Sequence, residues 1–136
     1  MDIKLNKACE IQHEAVLAKG FEHQPVATNL MLIVSELGEA CEADRKNKHA
    51  DFITFREAIL RTDNTIGDIV LPPLDSSEKF KLAFEAHIKD TFEDEIADAF
   101  LRLMDLCGEY NIDIEQHIRL TAEYNKLRPN NHGKAY

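Results

Sequence analysis

Apolar residues recur at helical spacing along most of the chain, broken in a few places by glycine, proline and polar clusters. Residues 3–19 predict a first helix. Leu5, Ala8, Cys9, Ile11/Gln12, Ala15, Val16 and Ala18 form its approximate apolar stripe, and Gly20 is its stop. Pro25 suits the first turn of a second helix over residues 26–47. At roughly 100° per residue, Leu30, Ile33, Val34, Leu37 and Cys41 share one broad face of that helix. A further helix over residues 92–108 has Phe92, Ile96, Phe100, Leu103, Met104 and Cys107 as its expected core face and Gly108 at its end. The last, about 113–127, sets Ile114, Ile118, Thr121 and Tyr124 along one side before Pro129 prevents continuation.

Residues 46–90 are less regular. Phe52, Phe55, Ile59 and Leu60 predict a short helix from Asp51 to Leu60. Thr62 to Leu74 reads as loop, with an extended Ile69-Val70-Leu71 stopped by Pro72-Pro73. Asp75-Ser76-Ser77-Glu78 is a capping box that opens a helix to about Ile88. Phe52, Phe55, Ile66, Ile69, Val70 and Leu71 are too apolar for a solvated linker, so they are expected to pack on the body or on a partner subunit. The expected fold class is therefore all-α. It is a bundle of about four main helices with an inserted irregular and helical segment, in a single domain over residues 1–136. Only five glycines and four prolines agree with long uninterrupted helices.

The apolar helices carry carboxylates in awkward places. Glu36 and Glu39 stand one turn apart on a stripe beside the apolar face of the second helix, and Glu95 and Asp98 repeat the spacing in Phe92-Glu93-Asp94-Glu95-Ile96-Ala97-Asp98. Spacing alone says nothing: with 25 acidic residues in 136, roughly four to five acidic pairs at i,i+3 arise by chance, and five are present. The flanks carry the information, because only these two pairs are embedded in long apolar helices. An unpaired buried charge is costly, and a bound cation removes the cost. Four carboxylates from two facing helices can line an oxygen site for Mg²⁺. The competing reading is two solvated helix faces.

Charge and cysteine content narrow the class further. A net charge of −9 argues against general nucleic-acid binding and makes a local basic cluster more informative. Such a cluster stands near the end, in Tyr124-Asn125-Lys126-Leu127-Arg128-Pro129-Asn130-Asn131-His132-Gly133-Lys134. Cations beside a carboxylate-held Mg²⁺ suit a polyphosphate; the alternative is a disordered basic tail. His23, in the connector before the second helix, is either a ligand contact near a site mouth or a surface residue. Cys9, Cys41 and Cys107 are read as reduced core residues of a cytoplasmic protein. No run approaches a membrane span, and Met1-Asp2-Ile3-Lys4-Leu5-Asn6-Lys7 has no signal-peptide core.

Taken together, Ser35-Glu36-Leu37-Gly38-Glu39-Ala40, then Asp94-Glu95-Ile96-Ala97-Asp98, then Asn125-Lys126-Leu127-Arg128-Pro129 with His132-Gly133-Lys134, resemble the MazG-like nucleotide pyrophosphohydrolases. The similarity covers about residues 19–45 and 91–136. It implies an all-α enzyme that uses Mg²⁺, with Mn²⁺ able to replace it. The implied reaction cleaves a nucleoside triphosphate, deoxy or non-standard ones included, to the monophosphate and pyrophosphate. Glu36, Glu39, Glu95 and Asp98 match the family's metal ligands. Asn125, Lys126, Arg128, His132 and Lys134 match its phosphate-contacting end. The resemblance also implies a homodimer or homotetramer. Two departures stand out. Ser35 and Asp94 occupy places where the family usually doubles the glutamate, and the usual short loop between the two motifs is replaced by Ala40 to Asp94. Two rivals are weighed against this reading. A di-iron carboxylate bundle needs two Glu-x-x-His motifs, and only Glu10-Ile11-Gln12-His13 fits. A non-catalytic helical interaction or regulatory module would keep the scaffold without the chemistry.

Overall fold

The computed structural model describes residues 4–61, 65–66, 69–70 and 75–129. Among them lie six helices: α1 (Leu5–Ala18), α2 (Val26–Arg45), α3 (Phe52–Leu60), α4 (Ser76–His87), α5 (Phe92–Glu109) and α6 (Ile114–Lys126). Two short strands, β1 (Thr65–Ile66) and β2 (Ile69–Val70), pair antiparallel with Thr65 opposite Val70 and Ile66 opposite Ile69. The class is predominantly helical, as the periodicity requires. No helix among the described residues is long and apolar enough to cross a membrane.

Local chemistry sets the helix ends. Asp51 caps α3 by accepting from the Thr54 N–H at 3.0 Å, and Asp113 caps α6 through the Gln116 N–H at 3.1 Å. Asp75 and Glu78 complete a reciprocal box at the start of α4: Glu78 N–H donates to Asp75 at 2.8 Å and Asp75 N–H donates to Glu78 at 3.1 Å. Gly20, with φ of 84°, follows α1 in the left-handed region that terminates helices. Gly108 departs from expectation. It lies inside α5, and Asn111, at φ 51°, makes the turn instead.

The contacts divide the chain into two compact units, Met1–Asn29 with Leu101–Tyr136, and Leu30–Phe100. In the first, α1 packs against α6. Asn6 N–H donates to Glu115 at 2.9 Å, and Glu115 N–H returns a bond to the Asn6 side chain at 3.2 Å. Cys9, Leu106 and Cys107 are buried there, and Gly108 faces the α1 backbone. In the second unit α3 packs on α4, with Phe55 edge-on to Phe80 at 5.8 Å and Phe80 stacked on Phe84 at 5.8 Å. The Asp51 N–H reaches the His87 carbonyl at 3.1 Å, and the Phe92 N–H reaches the Lys48 carbonyl at 2.9 Å. The first bond closes the segment over residues 46–90 on itself, and the second ties it to the start of α5.

Several burial expectations are corrected. On α2 the buried positions are Ile33, Ala40 and Ala43, while Leu30, Val34, Leu37 and Cys41 are exposed. The buried stripe is thus rotated by about one residue from the expected face, and Glu36 falls within it. On α5 the same shift buries Glu95 and Ala99 and leaves Phe100 63% exposed. On α6 Ile118 and Tyr124 are exposed, and in α3 Phe52 is exposed while Phe55 is half-buried. Ile66, Ile69 and Val70 lie in the hairpin strands, and their side chains, like Leu71, are outside the described residues. On α2 and α5 the alanines Ala40, Ala43 and Ala99 are buried while Leu30, Val34, Leu37 and Phe100 face outward, so side-chain size is a poor guide to burial there.

Candidate metal centre

The start of α5 decides which carboxylates turn inward. Thr91, buried, donates its hydroxyl to the Ile88 carbonyl at 2.6 Å and accepts from the Asp94 N–H at 3.3 Å. Asp94 accepts from the Asp90 N–H at 3.0 Å. Glu93 accepts from the Ala50 N–H at 2.8 Å and contacts His49 Nδ1 at 3.0 Å. Glu93 and Asp94 are therefore spent on backbone anchoring. With them fixed, the helical repeat puts Glu95 one turn after Thr91 and one turn before Ala99, on the buried face.

Glu95 meets Glu36 and Glu39 there. One oxygen from each of the three carboxylates lies within 4.8 Å of the others, and Glu95 is only 5% exposed. Its carboxyl is pushed up to about 7, first by burial, then by the negative charges of Glu39, Glu36, Asp98 and Asp94. Asp98, half-buried, lies outside the three-oxygen group but acts on Glu95 electrostatically. Nearby acids behave differently because they have donors. Glu93 is held below the usual range mainly by the Ala50 N–H, and Glu42 by Lys46 and Arg45, its ion-pair partners at 3.0 and 2.5 Å.

The donor set fits a hard divalent cation. All three atoms are carboxylate oxygens, and opposed oxygens around Mg²⁺ stand about 4.2 Å apart, so modest rotamer changes suffice to close a separation of this size. An ion would also relieve the repulsion that raises the Glu95 carboxyl. Alongside lies a cavity of about 180 Å³ lined by Glu39, Glu95, Asp90, Lys46 and Lys48, among others. In the sequence these two lysines stand only as polar residues around the end of the second helix. The only signal for them is their place one to three residues after a carboxylate-bearing helix.

The remaining candidates are distributed otherwise. Asn125, Lys126 and Arg128 are exposed at the end of α6, in the first unit, and Lys126 pairs with Glu123 at 2.6 Å. His132 and Lys134 lie outside the described residues. His23 pairs with Glu109 and lines a separate cavity of about 260 Å³ in the first unit, which also holds His13, Asn29 and Asp105. His13 is bonded to Asp105 at 2.8 Å, while Glu10 pairs with Lys7 at 2.8 Å, so these two residues of the Glu-x-x-His motif have separate partners. Comparison with protein-family models, curated proteins and solved structures returned no match.

Proposed function

We propose that the chain is a Mg²⁺-dependent hydrolase that cleaves a nucleoside triphosphate to the monophosphate and pyrophosphate. The observation that carries the reading is the convergence of Glu36, Glu39 and Glu95, with the buried Glu95 carboxyl pushed up to about 7 by burial and its acidic neighbours. The resemblance of the carboxylate motifs and the basic ending to MazG-like enzymes supplies the substrate class. Glu36, Glu39 and Glu95 would hold the ion, with Asp98 close enough to bear on the same charge. The ion, when bound, would neutralise phosphate charge and make a water a better nucleophile. The chain's own share is to fix the donors on helices, so that little reorganisation accompanies the reaction. Exposed Leu30, Val34, Leu37 and Phe100 on the site-bearing helices support a subunit face and hence a homo-oligomer.

Asp98→Asn tests whether Asp98 belongs to the proposed site. The change removes charge but little volume, so helical content should be kept. Mg²⁺-dependent pyrophosphate release should fall by about a hundredfold or more. Full turnover in that variant would remove Asp98 from the site. The competing reading, a non-catalytic interaction module, predicts no pyrophosphate release by the wild-type chain from any nucleoside triphosphate.

A further inference from the structure

The acidic site has an electrostatic difficulty. A polyphosphate approaching Glu36, Glu39 and Glu95 meets like charge, and one divalent ion offsets only part of it. The cavity beside the carboxylates carries its own cations, Lys46 and Lys48.

Their placement follows from how α2 ends. Asn47 turns the chain through the left-handed region at φ 56°, which asparagine tolerates. The Lys48 N–H then donates to the Ala43 carbonyl at 2.8 Å, and the Lys48 carbonyl accepts from the Phe92 N–H at 2.9 Å. Its backbone is thus held on both sides, against α2 and against the start of the helix that carries Glu95. The side chain makes none of these bonds, yet it lines the same cavity as Glu39 and the nine-tenths buried Glu95. Lys46 is partly committed, because its ammonium pairs with Glu42 at 3.0 Å one turn back. A lysine binds phosphate as a point charge on a long stem and needs no planar partner.

We infer that Lys48, assisted by Lys46, is a phosphate-binding residue of this cavity and takes the polyphosphate chain of the nucleotide beside Glu39 and Glu95. An ion on the carboxylates and the Lys48 ammonium on the cavity wall would then flank the chain from two sides. The inference rests on the reading of Glu36, Glu39 and Glu95 as the residues that hold the ion.

The test is calorimetric titration of inorganic pyrophosphate, with Mg²⁺ present, into the full chain as wild type, Lys48→Gln, Lys48→Arg and Lys46→Gln. Thermal melts with and without Mg²⁺ alone accompany it. Lys48→Gln should weaken pyrophosphate binding about tenfold or more, while Lys48→Arg keeps most of it and Lys46→Gln loses less. The melting temperature and its response to Mg²⁺ alone should stay at wild-type values, because only the backbone of Lys48 supports the fold. Wild-type affinity in Lys48→Gln, or no pyrophosphate binding by the wild type, overturns the inference. So does a lost Mg²⁺ response in Lys48→Gln, which would put the side chain with the carboxylates and not with the phosphate. If no nucleotide is hydrolysed but Lys48→Gln still weakens pyrophosphate binding, the catalytic reading falls and the phosphate site stands. If Mg²⁺-dependent turnover is present and Lys48→Gln changes neither KM nor pyrophosphate binding, the reverse holds.

Discussion

Glu95→Gln should stabilise the metal-free protein at pH 8 and at the same time abolish the Mg²⁺-dependent activity proposed for it. The two effects have one cause. In the folded chain the Glu95 carboxyl titrates at about 7, against an ordinary value of 4.5. Below pH 4.5 it is protonated in both folded and unfolded states and contributes nothing to the difference. Between 4.5 and about 7 the unfolded chain gives up the proton more readily, so stability falls as pH rises. Above about 7 the full penalty of a buried anion among carboxylates is present. Glutamine has nearly the same shape and no such titration. Its advantage over the wild type should therefore open between pH 4.5 and 7 and level off above, at about 1–3 kcal/mol. Adding Mg²⁺ at pH 8 should close the gap from the wild-type side only, because the amide of the variant offers no charge to the ion. Turnover should drop by about a hundredfold or more. Urea denaturation at pH 5 and pH 8, with and without Mg²⁺, separates these outcomes. A pH-independent difference between the two proteins would mean that Glu95 is not raised by its surroundings.

Gly108→Ala should destabilise the fold, although the residue lies inside a helix. On an open helix surface alanine gains about 1 kcal/mol over glycine. Here a Cβ at residue 108 would stand 2.4 Å from the Cys9 carbonyl oxygen and 2.7 Å from the His13 Cβ. The obstruction is backbone and the stem of a side chain, neither of which can swing aside. α1 and α5 would have to separate where Cys9 and Cys107 are buried. The expected loss is about 1–3 kcal/mol by chemical denaturation. Gly38 is the internal control, since nothing lies within 4 Å of a Cβ there. Gly38→Ala should be neutral or stabilising. A gain of stability in Gly108→Ala would show that the helices do not meet at this glycine.

What can be read in the sequence is what depends on near neighbours. Asp51, Asp75 and Asp113 announce helix starts because a capping side chain acts within three residues. The roll of each helix is not local. Phe100 outranks Ala99 by hydrophobicity, yet the anchoring of Glu93 and Asp94 to backbone donors turns Ala99 inward and Phe100 outward. The five acidic pairs illustrate both sides. Asp75/Glu78 is a cap, legible as such. Glu42, of the pair Glu39/Glu42, is taken by Arg45 and Lys46, and Glu93, of Asp90/Glu93, is taken by the Ala50 N–H. Glu36, Glu39 and Glu95 converge, and Asp98 acts on Glu95 at longer range. Apolar flanks single out these four in the sequence. Lys48 escapes because its place depends on a left-handed turn at Asn47 and a bond to Phe92, neither of which has a sequence period. Gly108 reads as a helix stop because its real constraint is a distant carbonyl.

Phosphorus NMR of a nucleoside triphosphate panel incubated with the wild-type chain, with Mg²⁺ and with chelator, distinguishes the proposed hydrolase from its rivals. Monophosphate and pyrophosphate are expected from at least one member of the panel, with Mg²⁺ present and not with chelator. Diphosphate and inorganic phosphate as products, or no Mg²⁺-dependent turnover of any member, would contradict it.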